Sequence, residues 1–199
     1  MSKEKDYFCH ETSVVDQNAK IGPGTKIWHF SHVHGGAQIG ADCIIGQNVY
    51  IASKVVIGDR CKIQNNVSLY DGVTLEDEVF CGPSSVFTND LTPRARGSQG
   101  WSITSTLLRR GASVGANATI VCGNTLGEYC MIGSGAVVTR DVPAYALMIG
   151  VPARRIGWVC SCGARLTNEL SCLRCGALYQ ASGQGISPVL HTGKQQSED

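Results

Sequence analysis

The chain has 199 residues, 43% of them hydrophobic, with 17 Lys and Arg against 16 Asp and Glu for a net charge of +1. That is enough apolar material for one core and a small appendage, and a near-neutral balance without an RNA-binding motif argues against a nucleic-acid partner. No apolar run approaches the roughly 20 residues that span a bilayer, and residues 1–12 hold no apolar signal segment, so a soluble cytoplasmic protein without membrane contact is expected.

Residues 1–12 read as an irregular leader. A period of six then begins at Val15 and runs to Phe87. Its first positions are apolar (Ile21, Ile27, Val33, Ile39, Ile45 and onward), and its fifth positions are small or β-branched (Ala19, Thr25, Ser31, Ala37, Cys43 and onward). Glycine takes the second position at Gly22, Gly40, Gly46, Gly58 and Gly82. Six is neither the helical period nor the two-residue alternation of an ordinary strand. It fits one short strand and one turn per repeat, with the second-position glycine supplying a positive φ at the turn. The expected fold is therefore mainly β, a hexapeptide-repeat parallel β-helix over residues 13–158. Three repeats make one triangular layer, so residue i stacks on residue i+18 at roughly 4.8 Å.

That stacking predicts which outward side chains meet. His29, Gln47 and Asn65 form one column, Phe30, Asn48 and Asn66 the next, and His32, Tyr50 and Ser68 another. Around the adjacent corner His34, Ala52, Tyr70 and Thr88 align, followed by Gly35, Ser53, Asp71 and Asn89. Asp71 and Asn89 should therefore be neighbours. Hydrogen-bonding groups converging there suit a polyhydroxy or nucleotide-like ligand, although amide ladders in a β-helix can also be purely structural. The run WHFSHVHGG holds His29, His32 and His34. A catalytic metal of the three-histidine kind is not expected, because one turn alone cannot supply its geometry.

The pattern fails at about residues 90–107. This polar, Gly- and Pro-containing stretch carries Arg94, Arg96 and Trp101 and reads as a projecting lid or clasp. A tolerated insertion on a solenoid edge is the bland alternative. The repeat resumes at Leu108 with a three-residue phase shift and ends near Val138. Residues 1–90 carry 7 Lys and Arg against 11 Asp and Glu, whereas residues 91–160 carry 7 Arg against only Glu128 and Asp141. The later part is suited to a small polyanion.

Cys43, Cys61, Cys81 and Cys130 fall on inward positions as small fillers, while Cys9 and Cys122 have no assigned place. Cys160 and Cys162, then Cys172 and Cys175, form two pairs, each followed by glycine. Four thiolates at this spacing close a tetrahedral shell, so residues 159–179 are expected to be a zinc-ribbon-like knuckle around a structural, non-catalytic zinc. Two disulfides would conflict with a cytoplasmic location. Residues 180–199 read as a disordered tail.

Some segments are more specific than the repeat. IWHFSHVHGGAQIGADCIIGQNVYI, VVIGDRCKIQNNVSLYDGVTLEDEVFCGPSSVFTND, RRGASVGANATIVCG and YALMIGVPARRIGW together resemble bacterial nucleotide-sugar N-acetyltransferases over about residues 10–158. The nearest resemblance is to enzymes acetylating UDP-2-acetamido-3-amino-2,3-dideoxyglucuronate for surface polysaccharides. Enzymes acting on dTDP-3-amino-3,6-dideoxyhexoses share much of the same pattern. The resemblance implies a left-handed helix, a homotrimer with active sites between subunits, and acetyl-CoA as co-substrate. It sets acetyl-CoA against Ala112, Ala118 and Gly135, with Arg154 and Arg155 on the CoA phosphates. It gives Asn89 the task of orienting the amine and Arg94 an anionic part of the sugar nucleotide. His32, His34, Asn66 and Asp71 would then contact sugar or base. No histidine lies between His34 and His191, so a loop base is absent and the departing CoA sulfur is the proton acceptor implied. A non-catalytic β-helix scaffold that docks through the knuckle is the competing reading.

Overall fold

One apolar residue in every six can be buried only if each layer of chain lies on the next. The computed structural model, which describes residues 6–96, 102–183 and 185–189, has this architecture. Among the described residues every regular element is a strand, most of them two residues long. They form three sheets of nine, seven and six strands along the sides of a triangular prism, plus a two-stranded hairpin. Pairing is parallel at the expected step: Lys62 lies beside Phe80, and Ser68 beside Val86. Among the described residues no helix is long and apolar enough to cross a membrane.

First positions point inward without exception through the central layers: Ile27, Ile45, Ile51, Ile63 and Leu69 are all 0% exposed. The fifth-position hydroxyls of Ser31 and Thr25 are satisfied between layers, whereas the buried Ser85 hydroxyl has no hydrogen-bond partner among the described residues. The Ser31 hydroxyl donates to the Gly46 carbonyl (2.8 Å) and accepts from the Val49 N–H (3.0 Å). Thr25 does the same with Gly40 and Cys43. These two hydroxyls can sit in the core because the neighbouring layer presents its backbone to them.

The second-position glycines do not supply the positive φ. That conformation belongs to the fourth position, held by Gly24, Gly36 and Gly72 and also by Asn18, Asp42, Asn48, Arg60 and Asn66. Glycine is needed at the second position for space: a Cβ on Gly58 would stand 2.7 Å from the Asp77 nitrogen, and one on Gly82 2.7 Å from the Ala116 nitrogen. At these corners successive layers touch through their backbones.

Three expectations about boundaries are corrected. The solenoid begins inside the supposed leader, where Phe8–Cys9 pairs with Lys26–Ile27 and Cys9 packs against the core as a first-position residue. The excursion expected at 90–107 ends sooner, because Thr106–Leu108 is already a strand, and the sheets continue past it. The pairing step widens from Ser68 with Val86 to Val86 with Thr119, and Val73 pairs with Thr106. The extra chain is extruded at one corner, and because its length is not a multiple of six the repeat re-enters out of phase. Finally, the tail is ordered as far as Pro188. Tyr179–Ser182 and Gly185–Pro188 form an antiparallel hairpin, and Ile186 is buried with Tyr145, Leu166 and Tyr179. The remainder, from 190 on, lies outside the described residues, as does Trp101.

The last layer joins the nine-stranded sheet through Ala146–Ile149, which pairs parallel with Met131–Ile132. The chain then reverses, with a cis Val151–Pro152 peptide, into the antiparallel strand Arg154–Trp158 that leads to the knuckle.

Candidate active site

The corner that follows the seven-stranded sheet differs from the other two. Its second positions are not glycine but Asp16, His34, Ala52, Tyr70 and Thr88, in one column. This corner has room for outward side chains, and the extruded loop departs from it. Its neck is clamped: the Thr104 N–H donates to the Asn89 carbonyl (2.9 Å), and the Cys122 N–H to the Thr88 hydroxyl (2.9 Å). Cys122, 3% exposed, thus holds the loop base.

Between the loop and the corner lies a cleft of about 690 Å³. Asp71, Thr88, Asn89 and Asp90 supply its polar groups, and Tyr50, Tyr70, Phe87, Pro93 and Ile103 most of its apolar wall. The expected convergence of Asp71 and Asn89 is present. Asp71 is fixed by the Lys54 N–H (3.0 Å) and the Ser53 hydroxyl (3.4 Å), both donating to Oδ1. Asp90 accepts from the Thr92 N–H at 2.8 Å. Among the described residues the Asn89 side chain makes no hydrogen bond, which leaves its amide available to a ligand. No Lys, Arg or His among the described residues lines the cleft.

The other expected contacts fall in different places. Arg94 is exposed, its guanidinium donating to the Pro93 carbonyl at 3.0 Å, one residue beyond the cleft wall. Asn66 is at the opposite end of its sheet, where it accepts from the Asn48 amide (3.0 Å) in a ladder that holds layers together. It does not reach the cleft. His32 and His34 lie lower on the cleft side. His34 meets Tyr50 edge-on at 5.0 Å between ring centroids, and Tyr50 meets Tyr70 at 5.7 Å. Both histidines contact Asp16, His32 at 3.1 Å and His34 at 3.7 Å. The hydrogen bond from His32, then that from the Gly35 N–H, holds the Asp16 carboxyl below its ordinary range. Asp16 is the partner that the sequence reading missed. Its position 18 residues before His34, in a column without glycine, is the signal that could have found it.

Ala112 and Ala118 are corrected. Both are 0% exposed and face the core. Their N–H groups are bonded to the Arg109 and Gly115 carbonyls, and their carbonyls accept from Phe80 and Val86. Neither can line an outer groove. Gly135 is on the surface, at φ 70°, and a Cβ added there would meet nothing within 4 Å. Arg154 and Arg155 are exposed at the end of the solenoid, Arg155 lying 4.1 Å over the Trp158 ring.

In the knuckle the four sulfurs lie within 4.8 Å of one another, with Cys160 and Cys175 at 3.5 Å and Cys162 and Cys172 at 3.6 Å. A disulfide would need about 2.05 Å, whereas a zinc–sulfur bond of about 2.3 Å gives a tetrahedral edge of roughly 3.8 Å. The donor set fits zinc. Burial pushes the Cys160 thiol up, but the Tyr179 hydroxyl and neighbouring donors outweigh it and bring the group down to about 6. Tyr179 reaches Cys160 Sγ at 3.2 Å while accepting from the Ser161 N–H at 3.0 Å, the outer support a ligating thiolate needs.

Known proteins share this plan. The family model described as bacterial transferase hexapeptide (six repeats) matches residues 18–53, and that described as hexapeptide repeat of succinyl-transferase matches residues 36–71 and 110–140. Among solved structures, the UDP-N-acetylglucosamine acyltransferase LpxA of Bacteroides fragilis superposes with a TM-score of 0.65 at 16% identity, over 76% of this chain and 61% of that one. A hexapeptide-repeat acetyltransferase of Vibrio cholerae complexed with acetyl-coenzyme A gives a TM-score of 0.54 at 27% identity, over 62% of this chain and 70% of that one. Repeat, prism and corner cleft together define a hexapeptide-repeat acyltransferase. The dTDP-3-amino-3,6-dideoxy-alpha-D-galactopyranose 3-N-acetyltransferase of Aneurinibacillus thermoaerophilus is 41% identical over 198 residues, 95% of this chain and 98% of that protein. The chain belongs to the hexapeptide-repeat nucleotide-sugar N-acetyltransferases, and the reading as a non-catalytic scaffold is set aside.

Proposed function

We propose that this protein transfers the acetyl group of acetyl-CoA to the 3-amino group of a dTDP-linked 3-amino-3,6-dideoxyhexose. The observation that carries this reading is the cleft lining: two carboxylates, an unengaged amide and an apolar wall, with no cation among the described residues. A uronate substrate would bring its carboxylate up to Asp71 and Asp90 without a counter-ion, a costly arrangement away from water. A 6-deoxy sugar presents a methyl group there, and Ile103, Pro93 and Phe87 suit it. The similarity to a dTDP-sugar enzyme over nearly its whole length supports the same choice.

In the reaction proposed, the Asn89 side-chain oxygen accepts from the substrate amine and aims its lone pair at the thioester carbonyl carbon. The C–N bond forms, the C–S bond breaks, and the amine proton passes to the departing CoA sulfur. The Asn89 group supplies alignment rather than proton abstraction. Asp71, held in place by Ser53 and Lys54, would hold the amine or a neighbouring hydroxyl. Tyr50 and Tyr70 offer the flat surface a nucleobase stacks on, with His32 and His34 as further contacts. Arg94 is a candidate for the diphosphate once the loop meets substrate. Arg154 and Arg155 are proposed for the CoA phosphates, with close approach at Gly135. Cys160, Cys162, Cys172 and Cys175 would hold a structural zinc, and a homotrimer with sites between subunits is part of the same proposal.

CoA release measured against a panel of nucleotide sugars tests the substrate. The dTDP-3-amino-3,6-dideoxyhexoses should exceed UDP-2-acetamido-3-amino-2,3-dideoxyglucuronate in kcat/KM by ~10² or more, the scale on which an unpaired buried charge discriminates. Preference for the uronate would overturn the reading.

A further inference from the structure

Asp16, His32 and His34 form a second cluster outside the cleft lining, and its geometry is that of a metal site. We propose that these three side chains bind a divalent transition-metal ion, independently of the cysteine knuckle. His32 and His34 flank Val33, which is 0% exposed, so alternation along the strand sends both imidazoles outward on the same face. Asp16 sits directly below His34 in the layer stack, because Val15 pairs with Val33. Strand pairing, rather than a mobile loop, therefore fixes all three positions.

The donor atoms converge. Asp16 Oδ1 is 3.1 Å from His32 Nε2, Asp16 Oδ2 is 3.7 Å from His34 Nδ1, and one donor atom from each residue lies within 4.8 Å of the others. Ligands about 2.0–2.2 Å from an ion stand roughly 3–3.5 Å apart, so small side-chain rotations close the set. The Gly35 N–H donates to Asp16 Oδ2 at 3.3 Å and orients the carboxylate, as outer partners of metal ligands do. Two imidazoles and one carboxylate suit zinc, nickel or cobalt rather than magnesium or calcium. The three side chains are 34–40% exposed, leaving the remaining coordination positions to water or to a ligand oxygen. Since His34 packs against Tyr50, a wall of the cleft, the ion would stand beside the cleft. A carboxylate shared by two imidazoles without metal is the rival account.

Cobalt distinguishes them, because the thiolate knuckle and this site have different spectra. Full-length protein, stripped with chelator and titrated with Co²⁺, should take up two equivalents per chain. One gives intense sulfur-to-metal charge transfer, and the other only weak d–d bands. His34→Ala and Asp16→Asn should each weaken the second equivalent by at least ~10²-fold and leave the thiolate band unchanged. That unchanged band also reports that the variants fold, and His32→Gln provides a third, milder lesion. A single equivalent in the parent protein, or two retained in His34→Ala, overturns the proposal.

Discussion

Asp71 and Asn89 stand one layer apart at the same corner, the first bonded to Ser53 and Lys54 and the second, among the described residues, bonded to nothing through its side chain. A polar group left unengaged beside a clamped one is poised for a ligand. Asn89→Ala should lower kcat by ~10² or more with a smaller change in KM. Its melting temperature should stay near that of the parent, because the side chain makes no hydrogen bond among the described residues. Near-normal turnover by CoA release would remove Asn89 from the reaction.

Contact between layers makes a second-position glycine costly to replace. In Gly58→Ala the new Cβ would press on the Asp77 nitrogen at 2.7 Å and the Glu76 carbonyl carbon at 2.8 Å. Overpacking of this kind costs about 1–3 kcal/mol. In Gly135→Asn the new Cβ meets nothing within 4 Å and the φ is one that asparagine tolerates, so the cost should stay under about 1 kcal/mol. Urea unfolding of the two variants gives the comparison, and equal costs would contradict the contact argument.

Metal removal should act locally. Chelating the zinc proposed for the four cysteines should make amides of residues 160–183 and 185–188 exchange faster, since the hairpin and knuckle share one small core around Tyr145, Cys160 and Tyr179. Amides of the central layers should keep their protection, because each layer is held by its neighbours. Uniform loss of protection over the whole chain would show that the knuckle supports the solenoid as well.

Burial pushes the Cys81 and Cys130 thiols up from 9.0 to about 12. The folded state therefore keeps protons that the unfolded chain gives up. The contribution is fully present below pH 9, declines as pH rises from 9, and is lost on passing through about 12. Stability measured by urea should fall on this alkaline limb, and less steeply in a Cys81→Ala, Cys130→Ala variant. The same two thiols should resist alkylating reagents at neutral pH until the protein unfolds.

Much of the solenoid was legible in the sequence because a strict period of six fixes which side chain faces inward, and i+18 arithmetic then places Asp71 beside Asn89. Space was less legible. Nothing in composition tells that Gly58 is needed for clearance while Gly36 is needed for its φ of 95°. The period also hides its own ends: Cys9 continues the register, yet the charged residues around it masked the first layer. Ala112 and Ala118 looked suited to an outer groove because they are small, when the inward fifth position is what keeps them small. Asp16 escaped notice because its partners lie in the next layer up.

The clamp between Asn89 and Thr104 closes the loop at its root while all three sheets run past it unbroken. No strand of the prism lies between those two residues among the described ones, and lengthening a loop adds only slowly to the entropy of its closure. On the proposed reading, part of the specificity resides in a piece of chain separable from the scaffold. Grafting the 90–103 segment of a relative with a different sugar preference should change what is acetylated while the scaffold melts as before.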